Sequence, residues 1–259
     1  MMKKVLKMRG ERYRRCGMNV LQHTWAAYTR NVKLISFFSI PFLLALLIPL
    51  LSPMPTFLSA GGSFLRFGSI PTEDLTQGNI AIIVVFSLAS LFLVSFALVA
   101  INIVIKSQRT LTQIRTEVLQ GIEKYTFSVF WLLLTFELLY LVINMFLFEF
   151  GLHRVWGSLA TFLLSLPIFF APAAIVIDEL SPSNAVRMSL NVLKMRFAQF
   201  LLWMAVGIAA LVILDGALLA LLPHTLAEYA VLVINSVLLL PFLIVLQTQI
   251  YLSKYTIIR

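Results

Sequence analysis

Charge is what this sequence has least of. Its 259 residues include 11 Asp and Glu and 20 Lys and Arg, so 12% of the chain is charged, against roughly 25% in a soluble domain. With 60% apolar residues beside it, so little charge cannot cover the chain against water. One cysteine, Cys16, excludes an intrachain disulfide. It reads as an ordinary residue of a basic tail, with palmitoylation as the alternative. His23, His153 and His224 are scattered and lack metal-ligand spacing. A Gly-rich phosphate loop, a Ser-centred nucleophile elbow and paired carboxylates in a polar loop are all missing. No catalytic residue, metal or cofactor is therefore expected. About 33 polar and basic residues precede the first apolar run, too many for the start of a cleavable signal.

What the sequence has in abundance is long apolar runs. Six occur, at about 34–52, 79–105, 127–149, 156–177, 198–222 and 229–252. Each is near the length that crosses a hydrocarbon core of ~30 Å at 1.5 Å per residue. Pro41 and Pro49 fall in the first, Pro167 and Pro172 in the fourth and Pro241 in the sixth. Spanning helices tolerate such kinks where neighbours satisfy the freed carbonyls. The long connection 53–78, rich in Pro, Gly and Phe, reads as an irregular cap leaning on the membrane.

The cations are one-sided. Lys and Arg number nine in 1–33, four in 106–126, three in 178–200 and two in the C-terminal tail, 18 of the 20. Only Arg66 and Arg154 fall on the other side. This bias places both termini in the cytoplasm and the protein in the cell membrane. It also accounts for the net charge of +9 without a nucleic-acid partner. The expected partners are the bilayer, its anionic headgroups and a membrane protein. Residues 1–17 form a basic cytoplasmic tail and 18–259 a single six-span domain.

The stretch Asp178–Phe200 is the longest polar interruption in the second half. Ser181 suits an N-cap and Pro182 the first helical position. Asp178 and Glu179 stand where negative charge meets the positive end of a helix dipole. Val186, Leu190, Leu193 and Phe197 then share one face, and Arg187, Asn191 and Lys194 another. That pattern predicts a cytoplasmic amphipathic helix lying in the headgroup region, with Arg187, Lys194 and Arg196 toward lipid. Leu21, Trp25, Tyr28 and Val32 repeat the spacing, with Trp25 at the headgroup boundary. A third such helix, carrying Arg115, is expected in 106–126.

The plan of interfacial helix, span out and span back recurs at about 18–105, 106–177 and 178–252. A shift of 72 residues pairs Val104 with Val176, Ile105 with Ile177, Arg115 with Arg187 and Trp131 with Trp203, four identities in 28 positions. The fold class is thus all-α integral membrane: six transmembrane helices and three cytoplasmic amphipathic helices. The three units would be parallel repeats about an axis along the membrane normal.

Two carboxylates fall inside apolar runs, Glu137 and Asp215. An ionisable group in hydrocarbon is costly and reads first as function. Glu137 sits near mid-depth with Tyr140 and Asn144 one and two turns on, a candidate polar site. The alternative is a structural carboxyl hydrogen-bonded between helices. Asn102, Asn144, Asn235, Gln247 and Gln249 are candidates for bridges between helices.

From Pro172 through Asp178-Glu179-Leu180-Ser181-Pro182 to Ser189, then Leu193, Lys194 and Phe197, the chain resembles a family of multi-spanning bacterial and archaeal proteins. That family includes the membrane domain attached to some glycerophosphodiester phosphodiesterases. The resemblance implies a helical membrane domain without an assigned reaction. The chain has no room for the soluble phosphodiesterase domain, so its activity does not carry over. The expected function is a non-enzymatic membrane-organising, lipid-associated or accessory protein. The alternative is a transporter or permease component using Glu137.

Overall fold

The structure, a computed structural model, describes the backbone at residues 20–51, 56–59, 62–65, 76–110 and 114–255. Side chains are described over those ranges except at 56–57, 59, 63–65, 108–120 and 153–155. The basic tail and most of the 53–78 connection lie outside the described residues.

Ten helices are described: α1 (20–30), α2 (Val32–Leu47), α3 (Gln77–Thr110), α4 (Ile114–Glu149), α5 (His153–Ile168), α6 (Ala171–Ile177), α7 (Pro182–Met195), α8 (Phe197–Leu221), α9 (His224–Ile234) and α10 (Leu240–Leu252). Among the described residues six stretches are long and apolar enough to cross a membrane: Val32–Leu51, Gln77–Ser107, Gly121–Glu149, Trp156–Ile177, Phe197–Leu221 and His224–Tyr255. These are the six runs of the sequence. The chain has the make-up of a multi-pass membrane protein.

Two of the returning spans are interrupted. Span four breaks at Phe169–Phe170 between α5 and α6, between Pro167 and Pro172. Span six carries a π-turn, Asn235–Leu239, between α9 and α10, just ahead of Pro241. Proline lacks the amide that would bond four residues back, so each break falls where the backbone ladder loses a donor.

Where the 53–78 connection is described it is not irregular. Thr56–Ser59 (β1) pairs antiparallel with Gly62–Leu65 (β2), in the register Thr56↔Leu65 to Ser59↔Gly62. A second correction concerns 106–126. Residues from Ile114 onward form no separate helix: α4 runs unbroken into the third span. The segment has no proline. Gly121 lies so close to α3 that a Cβ there would come within 2.8 Å of the Ile103 side chain. That close approach keeps α4 against its neighbour.

A core forms at one end of the bundle, from the last turns of α3 (Ala97–Ile105), from α6 (Ala171–Val176) and from α10 (Leu243–Leu252). Alanines at 97, 100, 171, 173 and 174 let these three returning helices approach closely. Lipid is as apolar as the side chains, so spans associate through such packing and through polar contacts rather than through the hydrophobic effect. In α8, by contrast, only Gln199, Phe200 and Gly207 are buried.

The same physics decides which faces of α1 and α7 turn inward. The buried face of α1 is Val20, Thr24 and Tyr28, while Trp25 is 62% exposed. The fully buried positions of α7 are Ala185, Ser189 and Val192. Val186 and Leu190 are half-buried, Leu193 is buried and Phe197 is exposed. Small and hydrogen-bonding side chains turn inward, and most of the larger apolar ones flank the contact. Arg187, Asn191 and Lys194 are exposed, on the face expected.

Candidate functional site

Two acids in the turn between α6 and α7 gather several chain ends. Glu179 adopts a left-handed backbone (φ 54°), unusual for a residue with a side chain. Its carboxylate accepts from Lys106 Nζ of α3 at 3.0 Å and from Lys124 Nζ of α4 at 2.8 Å. Lys106 Nζ also donates to the Val176 carbonyl at 3.0 Å, gripping the end of α6. The bonds from Lys124, Lys106 and Tyr125 hold the Glu179 carboxyl down at about 2.

Asp178 faces the other way. It accepts from Tyr251 Oη at 2.6 Å, from Lys254 Nζ at 2.5 Å and from Tyr255 Oη. Burial pushes its carboxyl up, but the bonds from Lys254, Tyr251 and Tyr255 outweigh it and keep it below the ordinary range. Lys254 also lies 3.8 Å from the Tyr251 ring centre. Arg196, between α7 and α8, turns inward and donates to the Ser253 carbonyl at 2.8 Å. Its guanidinium ties α10 rather than reaching out to lipid.

The expected roles of Asp178 and Glu179 as helix-dipole charges are thus corrected. The first turn of α7 holds no acid, and both carboxylates are engaged by cations of other helices. Ser181 has the extended N-cap backbone (φ −63°, ψ 153°) and Pro182 opens the helix, but the Ser181 hydroxyl makes no cap bond. Each acid is held by two or more donors from other elements. This cluster locks helices together.

A second polar set closes the two breaks. Ser189 Oγ of α7 accepts from the Phe170 amide at 2.9 Å, and Gln247 of α10 donates to the Phe169 carbonyl. In span six, Pro241 offers no donor to the Val237 carbonyl, which lies 3.2 Å from Ser39 Oγ of α2. Tyr28 Oη donates to the Leu238 carbonyl at 3.3 Å. Trp203 links both sites: its indole N–H donates to the Leu243 carbonyl at 2.7 Å and its ring packs edge-on against Phe169. Buried Thr248 and Asn102 join α10 to α3 at 2.8 Å. Backbone groups freed within spans are met by side chains, as a medium without water demands.

The intramembrane candidates stand apart from both sets. Glu137 is exposed, and among the described residues its carboxyl has no hydrogen-bond or ion-pair partner. Tyr140 and Asn144 are half-buried on the same side of α4. Asn144 Nδ2 donates to its own helix at the Tyr140 carbonyl, 2.9 Å. Its Oδ1 would lie 3.4 Å from a Cβ at Gly157 of α5. Asp215 is half-buried near the far end of α8, away from this group. Trp25 packs edge-on to Phe242 at 6.2 Å. Arg115 lies in the first turn of α4, with its side chain outside the described residues.

No family model, curated protein or solved structure matches this chain. Among the described residues no group of three potential metal ligands occurs. Sequence reasoning missed the Asp178 and Glu179 clamps, Ser189 and the part played by Trp203. A lone Trp inside an apolar run and two acids abutting a span's end were the available signals. Their partners lie tens of residues away.

Proposed function

We propose that this chain is a non-enzymatic protein of the cell membrane, with both termini in the cytoplasm, that associates with anionic lipid and organises or assists a membrane partner. The observation that carries this reading is the setting of α7. Its small face, Ala185, Ser189 and Val192, is locked into the bundle while Arg187 and Lys194 are left exposed. A helix pinned on one side with free cations on the other suits an anionic surface. Lys106, Lys124, Arg196 and Lys254 tie the same end of the bundle together, which agrees with the charge bias of the sequence. The resemblance at Pro172–Ser189 points the same way.

We further read the first and third units of the plan as parallel repeats. Two features support it. The breaks before α2 and α8 share one backbone conformation, Asn31 at φ −124°, ψ 22° and Arg196 at φ −119°, ψ 27°. A shift of 165 residues from α1 to α7 pairs Val20 with Ala185, Thr24 with Ser189 and Tyr28 with Leu193, and all six are buried.

Each cation near an anionic surface contributes about 1 kcal/mol. A variant carrying Arg187→Gln and Lys194→Gln should therefore retain about thirtyfold less anionic phospholipid through purification, read by lipid mass spectrometry, with an unchanged melting temperature. Unchanged retention would refute the lipid role.

The second reading is a transporter component. The observation that favours it is Glu137, accessible and unpaired midway along a span. Counterion-dependent flux in proteoliposomes, lost in Glu137→Gln, is its test.

A further inference from the structure

We propose that Glu137, Tyr140 and Asn144 form a site for a lipophilic organic cation, which the carboxyl admits by giving up its proton. The inference deepens the transport reading and rests on it for the site's use, though not for the site itself.

Three oxygens on adjacent turns of α4 are left without a donor among the described residues: the Glu137 carboxyl, the Tyr140 hydroxyl and Asn144 Oδ1. All can accept, and a cation is what such a set binds. Buried Gly157 lets α5 come up against Asn144, where an added Cβ would already touch Oδ1 at 3.4 Å. Glu137 is exposed midway along the span, so a cation that reaches it through hydrocarbon must carry its charge on an apolar body.

Among the described residues nothing supplies a countercharge. The helices packed on α4 are α3, α5, α6 and α7. Between Gln77 and Ile105, α3 has no titratable side chain, and α6 has none. α5 carries His153 and Arg154 in its first turn, with side chains outside the described residues. Arg187 and Lys194 of α7 belong to the opposite, clamped end of the bundle. On α4 itself Lys124 is held by Glu179, Glu123 lies beside it, and Glu149 closes the far end. A lone carboxyl in apolar surroundings is neutral until a cation arrives. Binding is then an exchange: the O–H bond breaks, the proton leaves to solvent, and the carboxylate pairs with the cation.

Tetraphenylphosphonium is the probe, titrated into the full-length protein in lipid nanodiscs across neutral pH. The expected result is saturable binding that strengthens as pH rises, with one proton released per cation bound from the protonated form. Glu137→Gln should weaken it about thirtyfold or more, the loss of a desolvated charge pair. Glu137→Asp should retain binding with a displaced pH midpoint, which separates the site from a folding defect. Absent binding, pH-independent binding, or equal binding by Glu137→Gln overturns the proposal. A cation that binds but does not cross proteoliposomes leaves the site standing and removes the transport reading.

Discussion

Spans five and six are both strongly apolar, yet the molecule treats them oppositely. In the most apolar stretch of Phe197–Leu221 6% of residues are buried, and in that of His224–Tyr255 50% are. Hydropathy therefore reports the solvent a helix needs and not where it sits in the bundle. What separates the two spans is polar and small detail. α10 carries Gln247, Thr248 and Tyr251, each bonded to another helix. Beyond Gly207, α8 offers Asp215 and Gly216, and nothing lies within 4 Å of a Cβ placed at Gly216. In a medium that rewards polar contacts and close packing, the span bearing them becomes the core.

The sharpest way to break this contrast is at the clamped end. Asp178→Asn leaves Lys254, 9% exposed, without its counter-ion. Removing one partner of a buried pair costs about 3–5 kcal/mol, an upper bound for this part-buried pair, so thermal unfolding in detergent should shift by several degrees. A shift no larger than that of a surface substitution would show that the clamp is ornamental. Trp203→Phe keeps the ring on Phe169 and removes the donor to the Leu243 carbonyl. It should cost about 0.6–1.7 kcal/mol, the range for polar contacts between spans, in the same measurement.

Acid offers a smaller effect. The Glu179 carboxyl is held at about 2 in the folded protein, below its unfolded value of about 4.3. Its contribution is present above that unfolded value and lost as pH falls toward 2. The side chain is 50% exposed, so screening keeps the contribution at or below about 1 kcal/mol. Glu179→Gln should flatten the acid limb of the stability profile over that window. The smallest effect is expected on α8, where Ile213 is 69% exposed. Ile213→Ala should change stability by less than about 0.5 kcal/mol, and a large loss would mean that this helix is covered by something else.

The spans were legible in the sequence because an apolar run of bilayer length has few other uses. The prolines marked the breaks: Pro167 and Pro172 bracket Phe169–Phe170, and Pro241 follows the π-turn. The inward faces of α1 and α7 were not legible. An apolar stripe suggests burial in water, whereas here Thr24 and Ser189 turn inward. Nor could local spacing show that Asp178 and Glu179 serve Lys254, Lys106 and Lys124, which lie 76, 73 and 55 residues away. The hairpin at 56–65 was masked by a composition of Pro, Gly and Phe with no alternation. Of the candidate site, the grouping of Glu137 with Tyr140 and Asn144 followed from helical spacing. That Glu137 has no partner among the described residues required the neighbouring helices.

The proposed topology has six crossings with the clamped end inside the cell. Topology reporters fused within 60–70 and 224–228 should read as external, and those within 110–120 and 185–195 as cytoplasmic. One reversed position would contradict it.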